Sequence, residues 1–164
     1  MRIFKKQQKA FSLIEVISVL FILSIGLLGV LNLIIQNINS QYFSRQNIIA
    51  YQLAQEGVEL IRQVRDTNWN SGANWNEHLS DGNYYMDYTN SYPIATGSTS
   101  EPLYLTTNNV YTHNAANNTL TKFNRLITIS NVSDHEIRVT STIDWVDGTK
   151  SRSYTLEALL YDWE

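Results

Sequence analysis

Cysteine is absent from this 164-residue chain, which excludes a disulfide framework and thiolate metal sites. Its absence is compatible with either side of a membrane. Charge is missing from one long stretch: residues 16–44 contain no Asp, Glu, Lys or Arg, so this stretch is not ordinary solvated surface. The three histidines, His78, His113 and His135, stand far apart in or beside polar loops, with no His-x-x-x-His spacing. No Gly-rich phosphate loop, nucleophile elbow or Asp-rich calcium loop occurs. Two carboxylate pairs, Asp134 with Glu136 and Asp144 with Asp147, have the chemistry to hold a cation in a loop, but they read better as solvated turns. No nucleophile and base share a motif, so catalysis is not expected, nor is a cofactor or a metal.

Positive charge is concentrated at the N-terminus, where Arg2, Lys5, Lys6 and Lys9 stand without an acidic residue among the first ten. The formal net charge is -3, from 12 basic and 15 acidic residues. Removing the first ten residues leaves 8 basic against 15 acidic, or -7. Such a chain repels polyanions, and nucleic acid is not an expected partner.

Residues 11–35 are almost entirely Leu, Ile, Val and Phe, interrupted by Ser12, Glu15, Ser18, Ser24, Gly26, Gly29 and Asn32. About 20 apolar residues cross the hydrocarbon core as a helix, so the segment is long enough to span it. The basic leader stays cytoplasmic by the positive-inside rule, which sends the C-terminal part outward. A secretory signal fits less well, because the apolar run is too long and no Ala-x-Ala site follows it. An uncleaved signal anchor is the plain alternative. Glu15 distinguishes the two readings, because a carboxylate near the start of an apolar span is costly, on the order of 3 kcal/mol at the bilayer centre and less near its edge.

The basic leader followed by Ala10-Phe11-Ser12-Leu13-Ile14-Glu15 resembles the type III signal of type IV pilins and type II secretion pseudopilins. The resemblance implies cleavage by a prepilin peptidase between Ala10 and Phe11 and N-methylation of Phe11. It also implies an assembly role for Glu15, the fifth residue of the mature chain, which would meet the new α-amine of a neighbouring subunit. Ala10 stands where the family usually has Gly, and Ser12 where Thr is commoner. Shaft-forming members often carry a proline about two-thirds of the way along this segment, whereas here Val30-Leu31-Asn32-Leu33 has none. That departure points to a minor subunit or pseudopilin. The partners implied are the peptidase, other pilin subunits and an inner-membrane assembly platform. The location implied is a single-pass inner-membrane precursor, and later a filament at the cell surface or in the periplasm.

Helical periodicity continues past residue 35. Ala50, Leu53, Ala54, Gly57, Val58, Ile61 and Val64 recur every three or four residues, with Gln52, Glu56, Glu59 and Gln63 on the other face. One helix is expected over about residues 12–65, ending near Asp66-Thr67 and about 80 Å long. The run Leu53-Ala54-Gln55-Glu56-Gly57-Val58-Glu59, followed by Arg65-Asp66-Thr67-Asn68-Trp69, is similar to type IV pilus modification proteins, a minor-pilin group. Glu56 and Glu59 are read as solvated helix charges and Trp69 as a helix-end packing residue.

Residues 67–118 are rich in Asn, Ser, Thr, Gly and Tyr, and are expected to be mostly loop with short strands near 103–106 and 110–113. Alternation follows. Phe123, Arg125, Ile127 and Ile129 share one strand face; Ile137, Val139, Ile143 and Trp145 share the next; Tyr154, Leu156, Ala158 and Leu160 share the last. Asp147-Gly148 marks a hairpin. The expected fold is α+β, a pilin-like ladle with a long N-terminal helix and a small antiparallel head. Its parts are a leader over residues 1–10, a transmembrane and assembly helix over 11–35, an amphipathic continuation over 36–66 and a globular head over 67–164. Tyr84, Tyr85, Tyr88, Tyr92, Tyr104 and Tyr111, with Trp69 and Trp75, serve either as core for a head poor in aliphatics or as a recognition surface at a filament tip. The core role is the preferred one.

Overall fold

The structure, a computed structural model, describes residues 12–162. Among these residues there are one helix, α1 (Leu13–Ser71), and seven strands: β1 (Gly82–Tyr85), β2 (Ile94–Ala95), β3 (Glu101–Leu105), β4 (Tyr111–Thr112), β5 (Thr119–Ser133), β6 (Glu136–Asp147) and β7 (Lys150–Tyr161). The α+β class expected from the sequence is the class observed. The chain divides into two compact units between Ser44 and Arg45.

In the first unit, α1 begins after Ser12, whose carbonyl accepts the amides of Glu15 at 3.0 Å and Val16 at 3.2 Å. Residues 12–42 are all exposed. This stretch is long and apolar enough to cross a membrane. Two of its serines satisfy their hydroxyls within the helix: Ser18 Oγ donates to the Ile14 carbonyl and Ser24 Oγ to that of Leu20, both at 2.7 Å.

In the second unit, α1 runs on to Ser71, beyond the expected end at residues 66–67. No residue before Gly72 stops it. Gly72 takes a left-handed conformation (φ 71°), its amide bonds the Trp69 carbonyl, and the Ala73 amide bonds the Asn68 carbonyl, each at 3.0 Å. This is the paired Schellman closure, available to glycine at no steric cost. The buried Asn68 side chain then donates to the carbonyls of Trp75 (3.2 Å) and Glu77 (2.8 Å), tying the next loop to the helix end.

Strand β5 organises the antiparallel sheet. On one edge it pairs with β6, which pairs with β7, giving the expected meander. Its other edge is shared: β3 takes the first half, with Glu101 opposite Arg125, and β1 takes the second, with Tyr84 opposite Ile127. Short β2 and β4 extend β1 and β3. The hairpin turn is Gly148-Thr149, between the paired Asp147 and Lys150, with Gly148 at φ 62°. The sequence reading missed β1 and β2.

The core has two apolar clusters. One joins Val58, Ile61 and Val64 of α1 to Ile127, Ile129, Ile137 and Val139; the other joins Ala50, Leu53 and Ala54 to Phe123, Ile143 and Trp145. Every α1 stripe residue expected from Ala50 to Val64 is buried. Between the clusters lies a polar layer, one residue from each element: Gly57 on α1, Arg125 on β5 and Ser141 on β6. A Cβ on Gly57 would stand 2.5 Å from Ser141 Oγ, 3.2 Å from Ser141 Cβ and 3.3 Å from Arg125 Cδ. Helix and sheet therefore approach here as only glycine allows.

On an exposed helix, Gly→Ala stabilises by about 1 kcal/mol. Gly57→Ala is expected to do the opposite, destabilising by about 1–3 kcal/mol through overpacking. Urea unfolding of Gly57→Ala, Ser141→Gly and the double variant checks this: the double variant should recover part of the loss, and a stabilised Gly57→Ala would refute the close approach.

Candidate functional site

Two places merit consideration, the start of α1 and the polar layer with its attached loops. At the start of α1, Glu15 lies in the first helical turn, the one acidic residue in the exposed apolar stretch. A carboxylate in a first turn is favoured by the helix dipole, which partly offsets its cost in apolar surroundings. The other two expected site residues, Ala10 and Phe11, lie outside the described residues. Gly26 and Gly29 have open space where a Cβ would be, so no contact within this chain accounts for them.

The polar layer is the main titratable cluster of the second unit. Arg125 is fully buried, on the inward face where the alternation of β5 places it. Its Nη1 donates to the Leu53 carbonyl at 3.3 Å and lies 3.5 Å from Glu56 Oε1; its Nη2 donates to the Met86 carbonyl at 2.5 Å. Its Nε has no hydrogen-bond partner among the described residues. Burial pushes the guanidinium below the usual arginine range, against the opposing pull of Glu56 and Asp87. Glu56 is therefore not the freely solvated helix charge expected: its side chain is 36 % exposed and faces Arg125.

Next to Met86, Asp87 is 2 % exposed. It accepts hydrogen bonds from Thr112 Oγ1 (2.6 Å), the His113 amide (2.8 Å), the Thr89 amide (2.9 Å) and Thr89 Oγ1 (2.6 Å). Burial pushes the carboxyl up, and these four bonds together outweigh it, holding the pKa down at about 2. His113 Nδ1 lies 3.1 Å from the Pro102 carbonyl, an acceptor only, so Nδ1 carries the proton; Nε2 is buried with no partner among the described residues. Burial, reinforced by the Arg125 charge, lowers the His113 pKa to about 4. The cluster couples α1, the end of β1 and β4 through backbone carbonyls and amides. Among the described residues of the cluster no nucleophile is hydrogen-bonded to a base, and among the described residues no group of three or more His, Asp or Glu side chains is placed to hold a metal. Asp144 accepts from Ser100 Oγ at 2.5 Å, a loop-to-strand tie rather than a solvated turn.

The loop aromatics divide. Trp75 is buried in the first cluster, Trp69 and Tyr84 pack against it, and Tyr111 packs against the second cluster. Tyr85 lies over His113 with ring centroids 5.1 Å apart. Tyr88 and Tyr92 remain exposed, at 57 % and 47 %. The core role holds for the first group and not for these two.

A family profile described as Prokaryotic N-terminal methylation motif matches residues 5–31. It is the signature of type IV pilins and pseudopilins, and the matched span includes Ala10, Phe11 and Glu15. No curated protein and no solved structure matches the chain.

Two outcomes follow for the polar layer. Arg125→Met removes a buried cation and leaves the Leu53 and Met86 carbonyls without their donor, at an expected cost of about 3 kcal/mol, while Glu56→Gln, at a wetter site, costs about 1 kcal/mol. Chemical denaturation of both variants checks the order. For pH, His113 in the unfolded chain takes up a proton below about 6.5, but in the folded chain only below about 4. Stability is therefore lost as pH falls from 6.5 to 4, by on the order of 2–3 kcal/mol. Asp87 adds a further loss as pH falls from 3.8 through 2. Melting temperatures across pH 7 to 4 should fall in the parent and fall less in His113→Gln; equal slopes would contradict the assignment.

Proposed function

We propose that this chain, a type IV pilin or pseudopilin precursor by its N-terminal motif, is a minor structural subunit of a type IV pilus or pseudopilus. It is inserted with its N-terminus cytoplasmic, cleaved between Ala10 and Phe11 by prepilin peptidase, methylated on Phe11 and assembled with other pilin subunits at an inner-membrane platform. The mature form then resides in a filament at the cell surface or in the periplasm. The observation that carries this reading is a coincidence of position. The methylation motif at residues 5–31 overlaps the start of a helix whose residues 12–42 are exposed and, apart from Glu15, uncharged.

Cleavage before Phe11 creates an α-amine that is protonated at neutral pH, with a reference pKa near 8. Glu15 and the amine of a neighbouring subunit attract each other far more strongly in a poorly solvated helix bundle than in water. The attraction offsets desolvation only when both charges are paired, so the pair favours assembled over isolated subunits and fixes axial register. Gly26 and Gly29 lower the helix's own stability by about 1 kcal/mol each relative to Ala and permit close approach of another helix. The absence of proline from residues 11–35 favours a minor subunit or pseudopilin over a shaft subunit.

Intact mass and N-terminal sequencing, with and without a co-expressed prepilin peptidase, test the processing. The expected product begins at Phe11 and carries one added methyl group. A chain still beginning at Met1, both as it stands and in an Ala10→Gly variant, would refute it. Glu15→Val should still insert into the membrane but fail to enter filaments.

A further inference from the structure

A cleft of about 300 Å³ opens between α1 and the loop after β1. That volume is at the lower end of the ~300–1,000 Å³ range of small-molecule sites, enough for one or two rings rather than a polymer. Its floor is apolar, formed by the buried Val64 and Met86, and one side is the exposed ring of Tyr88. The polar lining comes from Gln63 and Thr67 of α1 and from Thr89, Asn90 and Ser91 of the loop; among the described residues no charged side chain takes part.

The loop is held rigidly for a surface segment. Besides the four bonds to the Asp87 carboxylate, the Asp87 amide donates to Asn90 Oδ1 at 3.0 Å and the Asn90 amide returns to the Asp87 carbonyl at 3.1 Å. A buried carboxylate thus fixes a turn whose next residue, Tyr88, points outward. Tyr92 in the same loop rests on His78, with centroids 4.1 Å apart, whereas the Tyr88 ring has no such cover among the described residues. Rigid presentation lowers the entropy lost on binding, and a tyrosine with two side-chain torsions adds contact area at little further cost.

We propose that this cleft binds a neutral saccharide. The C–H face of a sugar ring stacks on an exposed tyrosine, while its hydroxyls need neutral donors and acceptors: the Gln63 amide, the Asn90 Nδ2, the Ser91 hydroxyl and the lone pairs of Thr67. An anionic ligand finds no cation in the lining. The site does not depend on the assembly role and would operate wherever the second unit is displayed.

The full chain in phospholipid nanodiscs, which contain no sugar-based detergent, is titrated by saturation-transfer NMR with galactose, N-acetylglucosamine and lactose, and with sialyllactose as the acidic comparison. The expected result is binding of at least one neutral sugar at about millimolar affinity, weakened about tenfold or more by Tyr88→Ala and less by Gln63→Ala, with melting temperatures unchanged. Ser91→Arg, which places a long cation in the cleft, should abolish binding. No neutral sugar bound, sialyllactose alone bound, or binding indifferent to Tyr88→Ala would each overturn the proposal.

Discussion

The buried guanidinium of Arg125 is the contact on which the rest of the second unit depends. It lies where β5 changes edge partner, from β3 opposite Arg125 to β1 opposite Ile127, and where a gap between strands would leave backbone groups without partners. Its two terminal nitrogens reach the Leu53 carbonyl on α1 and the Met86 carbonyl just past β1, so one side chain fixes the helix, the central strand and the returning loop together. A buried cation is a poor source of net stability when compared with an apolar residue of like shape. Its contribution here is register: sliding α1 by one turn along the sheet would leave the charge facing an aliphatic cluster on either side.

The same layer accounts for the neighbouring composition. Gly57 has no side chain because Ser141 and the Arg125 stem occupy its space, and Ser141 is small because the helix backbone comes so close. Two apolar clusters thereby flank a thin polar seam; α1, β5 and β6 contribute to both, with Trp75, Leu79, Met86 and Leu160 completing the first and Leu103 the second. Farther toward the N-terminus, the requirement on α1 is reversed. Residues 12–42 are exposed, and of these 12–35 are almost entirely apolar, a surface suited to lipid or to other helices, whereas the stripe from Ala50 to Val64 is covered within the chain. One helix thus satisfies two different solvents, with the change falling close to where the charge-free stretch ends.

What could be read from the sequence was whatever repeats. The 3.6-residue stripe on α1, the alternation in β5, β6 and β7 and the turn after Asp147 are periodic or local signals, and the structure places each where the pattern implies. Arg125 fell on the inward face by the same alternation, yet its partners, 72 and 39 residues away, leave no trace in spacing. Strands β1 and β2 are four and two residues long and exist because the neighbouring strands pair with them, so they have no pattern of their own to read. The helix passes its expected end at Asp66-Thr67 and stops only at Ser71. The operative signal was Gly72, and the buried Asn68 was read as loop rather than as the residue that anchors the loop to the helix. Asp87 reverses expectation within a single dipeptide: the carboxylate is inside and the adjoining Tyr88 outside, since four hydrogen bonds outweigh what burial costs the acid.

The lack of cysteine bears directly on how the loop-rich half is held. Small extracytoplasmic domains commonly staple such loops covalently. Here the pins are side chains bonded to backbone: Asn68 to the carbonyls of Trp75 and Glu77, Asp87 to the amides of Thr89 and His113, and Asn114 Oδ1 to the amide of Ala116. Each contributes on the order of 1 kcal/mol, so the loops are held by many weak ties, and loss of one leaves most of the others in place. A disulfide responds to redox potential and not to pH. Pins that include a buried carboxylate beside a buried neutral imidazole respond to pH and not to redox potential. The loop carrying Tyr88 hangs on the Asp87 pin, so acid should loosen that surface before it disturbs the apolar clusters, whose described residues include no group that titrates in acid.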